Sequence, residues 1–180
     1  MNISNKGIAE LWGHEGICLR PYLDSVGVWT IAMGATASEG IDIKSMSKTD
    51  YITMNYALEL FNKGIAKYVW AVNSSLTAKV NQEQFDALVS ICYNIGCSGL
   101  ANSTFIKRIN SHEPASSVAA AIMMWCKPPE IKTRRAKEAR LYKDGVYSNG
   151  GKALVFDTNG AGKVSYSKGH TIDVSEYIHD

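Results

Sequence analysis

An α+β fold, mainly helical with a small N-terminal β-lobe and a C-terminal β-hairpin extension, is predicted by three observations. Apolar residues recur at helical spacing through most of residues 81–142. Residues 22–36 are rich in Tyr, Val, Trp, Thr and Ile, interrupted by Gly27 and Gly34. Beyond residue 150, a turn-forming Asn159-Gly160-Ala161-Gly162 joins two runs of β character. With 180 residues, 46% apolar and 20% charged, the chain can bury a real core and fits one domain with an appendage.

Ile8, Leu11 and Trp12 lie at i, i+3 and i+4 behind an Asn/Ser start, predicting a short helix that ends near Gly16. Residues 22–36 then read as a twisted hairpin. Ser47 opens Ser-Lys-Thr-Asp, read as the cap of a long helix with Tyr51, Met54, Ala57, Leu58 and Phe61 on one face. Phe85, Leu88, Val89 and Cys92 set a helix up to Asn94-Ile95-Gly96, followed by short helices over 104–109 and 116–125. Pro128-Pro129 stops the second of these, and a basic helix over 132–142 follows. The sequence therefore divides into a body, 1–147, and a short β-rich extension, 148–180.

The net charge of +2 is too small for a protein whose main task is to neutralise a phosphate backbone, so nucleic acid is not the expected partner. Lys127–Lys143 nevertheless holds seven basic and two acidic residues. That segment reads either as a solvated helix face or as a patch drawn to a polyanion. The opening residues contain no apolar stretch of signal-peptide length, and the longest nearly apolar run, Val118–Trp125, is far short of a membrane span. A soluble chain with neither export label nor stable membrane insertion is expected. Cys18, Cys92, Cys97 and Cys126 form no C-x-x-C pair and read as small buried hydrophobes, with no spacing that identifies a disulfide.

The candidate chemistry lies in Glu15-Gly16…Tyr22-Leu23-Asp24-Ser25-Val26-Gly27-Val28-Trp29-Thr30-Ile31. One carboxylate ends a helix and the other enters a hairpin, so the two can face a common cleft. Such a pair suits glycosidic cleavage, one carboxyl donating a proton while the other stays ionised. Spacing alone leaves the plain alternative open, a helix-end Glu and a turn Asp placed for capping. Rival sites fit less well. His14-Glu15-Gly16 lacks the second His of a zinc motif, and His112, His170 and His179 have no ligand spacing. Asp157-Thr158-Asn159 starts like a calcium loop, but Ala161 and Lys168 stand where ligands belong. No metal and no cofactor are expected.

E-G-x5-Y-x-D-x2-G-x-W-T-I, the later N-Q-x2-F-D-A-L-x3-C-Y-N-I-G and R-R-x2-E-x2-L occur in this order across residues 4–143, and together they resemble the phage-type lysozymes of glycoside hydrolase family twenty-four. The resemblance implies a lysozyme-like fold and a peptidoglycan hydrolase, an N-acetylmuramidase cleaving the MurNAc–GlcNAc β-1,4 bond by inversion. It implies Glu15 as general acid, with Asp24 and Thr30 holding the hydrolytic water. It also implies an arginine of the last helix, Arg135 or Arg134, set against the glutamate to orient it and substrate. Peptidoglycan glycan strands would be the partner of a monomer, made in the host cytoplasm and acting at the periplasmic wall after a separate protein permeabilises the membrane. A lytic transglycosylase acting on the same bond and a non-catalytic wall-binding or virion module are the alternatives. The family usually reads T-I-G-x-G-H or T-I-G-Y-G; here Ala32 and Ala35 stand in Thr30-Ile31-Ala32-Met33-Gly34-Ala35. The first adds a methyl where Gly is usual, and the second removes a polar side chain that often supports the glutamate.

Overall fold

The computed structural model describes residues 1–24, 26–37, 40–47, 49–159 and 162–178, with 166–168 described by their backbone. Gly160 and Ala161 of the expected turn, Ser25 of the site motif, His179 and the Lys168 side chain lie outside what is described. The elements are α1 (Asn5–Glu15), β1 (Ile17–Leu23), β2 (Trp29–Ala32), α2 (Met54–Ser75), α3 (Gln82–Ala101), α4 (Thr104–Asn110), α5 (Ala115–Ile122), α6 (Lys132–Asp144), β3 (Lys152–Thr158) and β4 (Val164–Asp173). They fall into two compact units, one of Met1–Ile8 with Ala66–Gly150, the other of Ala9–Ile65 with Gly151–Asp180.

The first unit is helical. Asn81 and Gln84 form a reciprocal capping box at the start of α3, satisfying two amides that the helix itself leaves unbonded. Phe85, Leu88, Val89 and Cys92, the residues of the predicted stripe, are fully buried. Gly96 adopts φ 80° and kinks α3, as a residue without Cβ can. Phe105 of α4 meets Trp125 edge-on at 6.5 Å, which places that tryptophan in packing. α6 ends at Gly145 in the left-handed conformation. The chain start is tied down through Asp86. Its carboxylate accepts from the Ser4 amide (3.0 Å) and hydroxyl, from Gln82 Nε2 (2.8 Å) and from Tyr147 Oη (2.7 Å). Burial and this bond to Asp86 push the Tyr147 phenol well above its usual value.

The second unit is built on one mixed sheet in the order β2-β1-β3-β4. β1 and β2 are antiparallel, and β3 and β4 form the predicted C-terminal hairpin. β3 lies parallel to β1, pairing Ile17 with Val155 and Cys18 with Phe156, so the extension completes the sheet of the N-terminal lobe. Trp12 packs edge-on to Phe61 at 5.8 Å, among buried Leu11, Ile17, Ile31 and Leu60. The long helix starts later than the sequence suggests. Ser47 donates its hydroxyl and amide to Asp50 in a local turn (2.9 and 2.8 Å), and Thr53 caps α2 by accepting from the Tyr56 amide (3.1 Å). Both serine and threonine carry cap chemistry, and the nearby Asp50 competes for Ser47.

All four cysteines are free thiols. Cys18 and Cys92 are buried as expected, whereas Cys97 and Cys126 are half-buried. Burial, with the neighbouring Cys97 adding to it, pushes the Cys92 thiol up to about 12, so it is inert at neutral pH.

Candidate active site

Glu15 is the last residue of α1, whose final helical bond runs from the Gly16 amide to the Trp12 carbonyl (2.9 Å). Gly16 turns the chain from helix to strand with φ 71°, a conformation that costs a side-chain-bearing residue about 1–2 kcal/mol. Half-buried Glu15 lines a small pocket with Gly16, Cys18, Tyr22, Ala32, Phe156 and Val164, about 100 Å³ in volume and so large enough for roughly three waters. Seven residues of extended chain would carry Tyr22 about 23 Å from Glu15. They share a pocket because β1 bulges: Cys18 faces Ala32 and Tyr22 faces Thr30, so three residues on β1 lie opposite one on β2.

Two residues beyond Tyr22, Asp24 closes the hairpin. Its Oδ1 accepts from the amides of Val26 (2.9 Å) and Val28 (2.8 Å), and its own amide donates to the Val28 carbonyl (3.0 Å). The turn-forming alternative for this aspartate is thus met in full, and one carboxylate oxygen supplies it. Thr30 is 3% exposed and donates its hydroxyl proton to the Val28 carbonyl (3.0 Å), which leaves the oxygen as an acceptor. Tyr22 links the parts: it lines the Glu15 pocket, pairs with Thr30 and lies two residues from Asp24.

Ala32, which stands where the resembled family usually has glycine, adopts φ 56° with 1% exposure. The backbone there takes the left-handed form that glycine prefers, which is why a glycine is usual. Ala35 closes the following tight turn, exchanging two 2.9 Å backbone bonds with Ile31.

Arg134 and Arg135 belong to the helical unit, and both engage Glu138. A solvated helix face was one reading of this basic segment; these two pairs are largely closed to solvent. Glu138 is 1% exposed and Arg135 is completely buried. Arg135 Nη1 donates to Glu138 Oε2, Nε to the Trp125 carbonyl (3.1 Å) and Nη2 to Asn94 Oδ1 (2.5 Å). Arg134 Nε and the Ser90 hydroxyl both donate to Glu138 Oε1, at 3.0 and 2.6 Å. Burial depresses the Arg135 pKa, and the carboxylate opposes that shift. Asn94 and Ser90 were legible as helix positions only; no local pattern marks them as ligands of an arginine on another helix.

Sequence reasoning also missed Phe156 and Val164, which the extension contributes to the Glu15 pocket. Elsewhere on the helical unit, Lys132, Lys137, Arg140 and Tyr147 help line an open hollow of about 630 Å³. Among the described residues there is no cluster of His, Cys, Asp and Glu able to hold a metal ion.

A helical unit, a small mixed sheet and a carboxylic acid at a helix end in a pocket define an α+β glycoside hydrolase of the lysozyme-like class. Residues 13–138 match the family model described as phage lysozyme. The endolysin of Salmonella phage P22 is 34% identical over 146 residues, covering 79% of this chain and 98% of that protein. Among solved structures, the endolysin from Escherichia coli O157:H7 phage FAHEc1 superposes with TM-score 0.75 at 35% identity, covering 83% of this chain and 98% of that one. The muramidase domain of SpmX from Asticaccaulis excentricus gives 0.67 at 28% identity, covering 78% and 97%. The chain belongs to the phage lysozyme family, and its activity is that of a peptidoglycan hydrolase.

Proposed function

We propose that the protein cleaves the MurNAc–GlcNAc β-1,4 bond by inversion, with Glu15 as general acid, Asp24 as the base that takes a proton from water, and Thr30 accepting a hydrogen bond from that water. The observation that carries this reading is the role of Tyr22, which ties the Glu15 pocket to the hairpin end where Asp24 and Thr30 sit. The local bonding supports the division of labour. Asp24 Oδ1 is fixed by two amides, so the carboxylate is oriented with Oδ2 left to meet water. Thr30 has already donated its proton, so it can only accept from that water.

Arg135 and Arg134, the two candidates for the orienting role that the resemblance implies, both bond within the helical unit, Arg135 to Glu138, the Trp125 carbonyl and Asn94, and Arg134 to Glu138 and the Ser90 carbonyl. The basic hollow of α6 would draw the enzyme to an anionic wall polymer, an electrostatic effect on encounter rate. No described helix is long and apolar enough to cross a membrane. Synthesis in the host cytoplasm, passage to the wall through a membrane opened by another protein, and action as a monomer complete the proposal.

Digestion of purified peptidoglycan, followed by mass spectrometry and by NMR of the first-formed reducing ends, tests it. Water gain with an initial α-anomer is expected, and both Glu15→Gln and Asp24→Asn should lose activity while remaining folded. A 1,6-anhydro product would show a transglycosylase, an initial β-anomer would show retention, and full activity in Asp24→Asn would remove the proposed base.

A further inference from the structure

Residues 152–173 lie outside the family match, yet they reach the proposed acid. Gly16, directly after Glu15, has the ring of Phe156 lying over it: a Cβ built on Gly16 would fall 2.1 Å from Phe156 Cε2. The next two residues, Ile17 and Cys18, are the ones that pair with Val155 and Phe156 of β3. At its far end the hairpin is held again. The Leu23 amide donates to the Gly162 carbonyl (3.0 Å), and the Trp29 ring lies against Gly162, where a Cβ would come within 3.1 Å of it. Arg20 adds a half-exposed ion pair to Asp157 (3.1 Å), worth at most about 1 kcal/mol.

This arrangement bears on the acid. A helix terminus followed by glycine is a loose joint, because glycine carries no side chain to restrict its backbone. A general acid must hold its proton within about 2.6–3.2 Å of the leaving oxygen, and misplacement by 1 Å costs on the order of a hundredfold in rate. The Phe156 ring fills the space directly beside the Gly16 backbone, on the side where a Cβ would stand. Together with Val164 it also forms one wall of the pocket.

We propose that Phe156 is a positioning residue for Glu15, and that strand β3 with Val164 of β4 is a structural part of the active site. The inference rests on Glu15 being the acid. It deepens that reading by assigning a role to a segment that the family match does not cover.

The test measures kcat and KM separately on soluble peptidoglycan oligomers, with thermal midpoints recorded so that each variant is assayed while folded. Phe156→Ala should lower kcat by tenfold or more with KM within about twofold. Phe156→Leu, which keeps apolar volume but not the flat ring, should fall between it and the parent. Leu154→Ala, on the same strand but 37% exposed and outside the lining of the Glu15 pocket, should leave kcat unchanged. Unchanged kcat in Phe156→Ala overturns the proposal, and so does a loss confined to KM, which would make the ring a substrate wall. A rise in kcat overturns it as well, by showing an inhibitory cover. If Phe156→Ala does not fold, Phe156→Leu decides: reduced kcat at constant KM supports the role, and parental kcat removes it. Glu15→Gln is measured alongside. Activity retained there defeats the assignment of the acid, whereas an inactive Glu15→Gln beside a fully active Phe156→Ala defeats only the positioning role.

Discussion

Replacing Glu138 by alanine should destabilise the protein by about 4 kcal/mol. Glu138 is the shared acceptor for Arg135, Arg134 and Ser90 at a site closed to solvent. Breaking a buried ion pair by removing one partner costs about 3–5 kcal/mol, because the remaining charge is stranded. The Ser90 hydroxyl also loses its acceptor, worth roughly another 1–3 kcal/mol. Arg135 keeps the Trp125 carbonyl and Asn94, which limits the loss to the lower part of that combined range. For a chain of this size, 1 kcal/mol moves the melting temperature by about 2–4 °C, so a fall of roughly 8–16 °C is expected. Thermal and urea unfolding followed by circular dichroism would measure it. Arg135→Met combined with Glu138→Leu should recover much of the loss, since no unpaired charge then remains in that pair. A cost below about 1 kcal/mol for Glu138→Ala, or single effects that add within about 0.5 kcal/mol in the double variant, would refute the coupled buried network.

Gly16→Ala should cost roughly 2–5 kcal/mol, from about 1–2 for a left-handed alanine and 1–3 for overpacking against Phe156, and chemical denaturation would show it. Ala32→Gly should change stability by less than about 1 kcal/mol: relief of about 1–2 kcal/mol of backbone strain is offset by unfolded-state entropy of 0.4–1 and a lost buried methyl of about 0.8. A melting temperature within a few degrees of the parent is therefore the expected result. Burial lifts the Tyr142 phenol to about 12, and burial with Asp86 lifts Tyr147 as well. Both phenols hold their protons more tightly when folded, so their stabilisation is complete below pH ~10 and is lost as pH rises above it. Tyr147→Phe should flatten the alkaline decline in melting temperature. Lys137→Glu on the basic hollow should slow lysis of outer-membrane-permeabilised cells at low ionic strength, with the difference shrinking as salt is added.

Elements that depend on nearby residues were the legible ones. The stripe Phe85, Leu88, Val89 and Cys92 predicted α3 and its buried face, although the helix expected to stop at Asn94-Ile95-Gly96 runs on to Ala101 across a kink at Gly96. The Asp24 turn followed from aspartate bonding to amides just ahead of it. What escaped prediction depends on residues far apart in the chain. A charge count treats Arg135 as one of seven basic residues on a solvated face, and two of the side chains that complete its buried network, Asn94 on Arg135 itself and Ser90 on its partner Glu138, lie more than forty positions away. The hairpin β3–β4 was readable from its turn chemistry, but its parallel partner was not, because strand pairing across 138 positions leaves no periodic trace. The left-handed backbone at Ala32 is likewise silent in alanine's own preferences. Only the family pattern hinted at it.

The parallel pairing of β3 with β1 also bears on how the molecule is made. The unit carrying Glu15 is discontinuous in sequence, and its sheet joins Cys18 to Phe156. Closing a flexible loop of that length costs on the order of 4 kcal/mol of chain entropy before any contact repays it. During synthesis the helical unit has nearly all its residues by Gly150, whereas the second unit lacks a strand of its sheet until residues 152–158 emerge. The wall of the acid's pocket is therefore among the last parts to be laid down, and a nascent or truncated chain ending near residue 150 would carry every residue assigned to catalysis without the surface that encloses the acid.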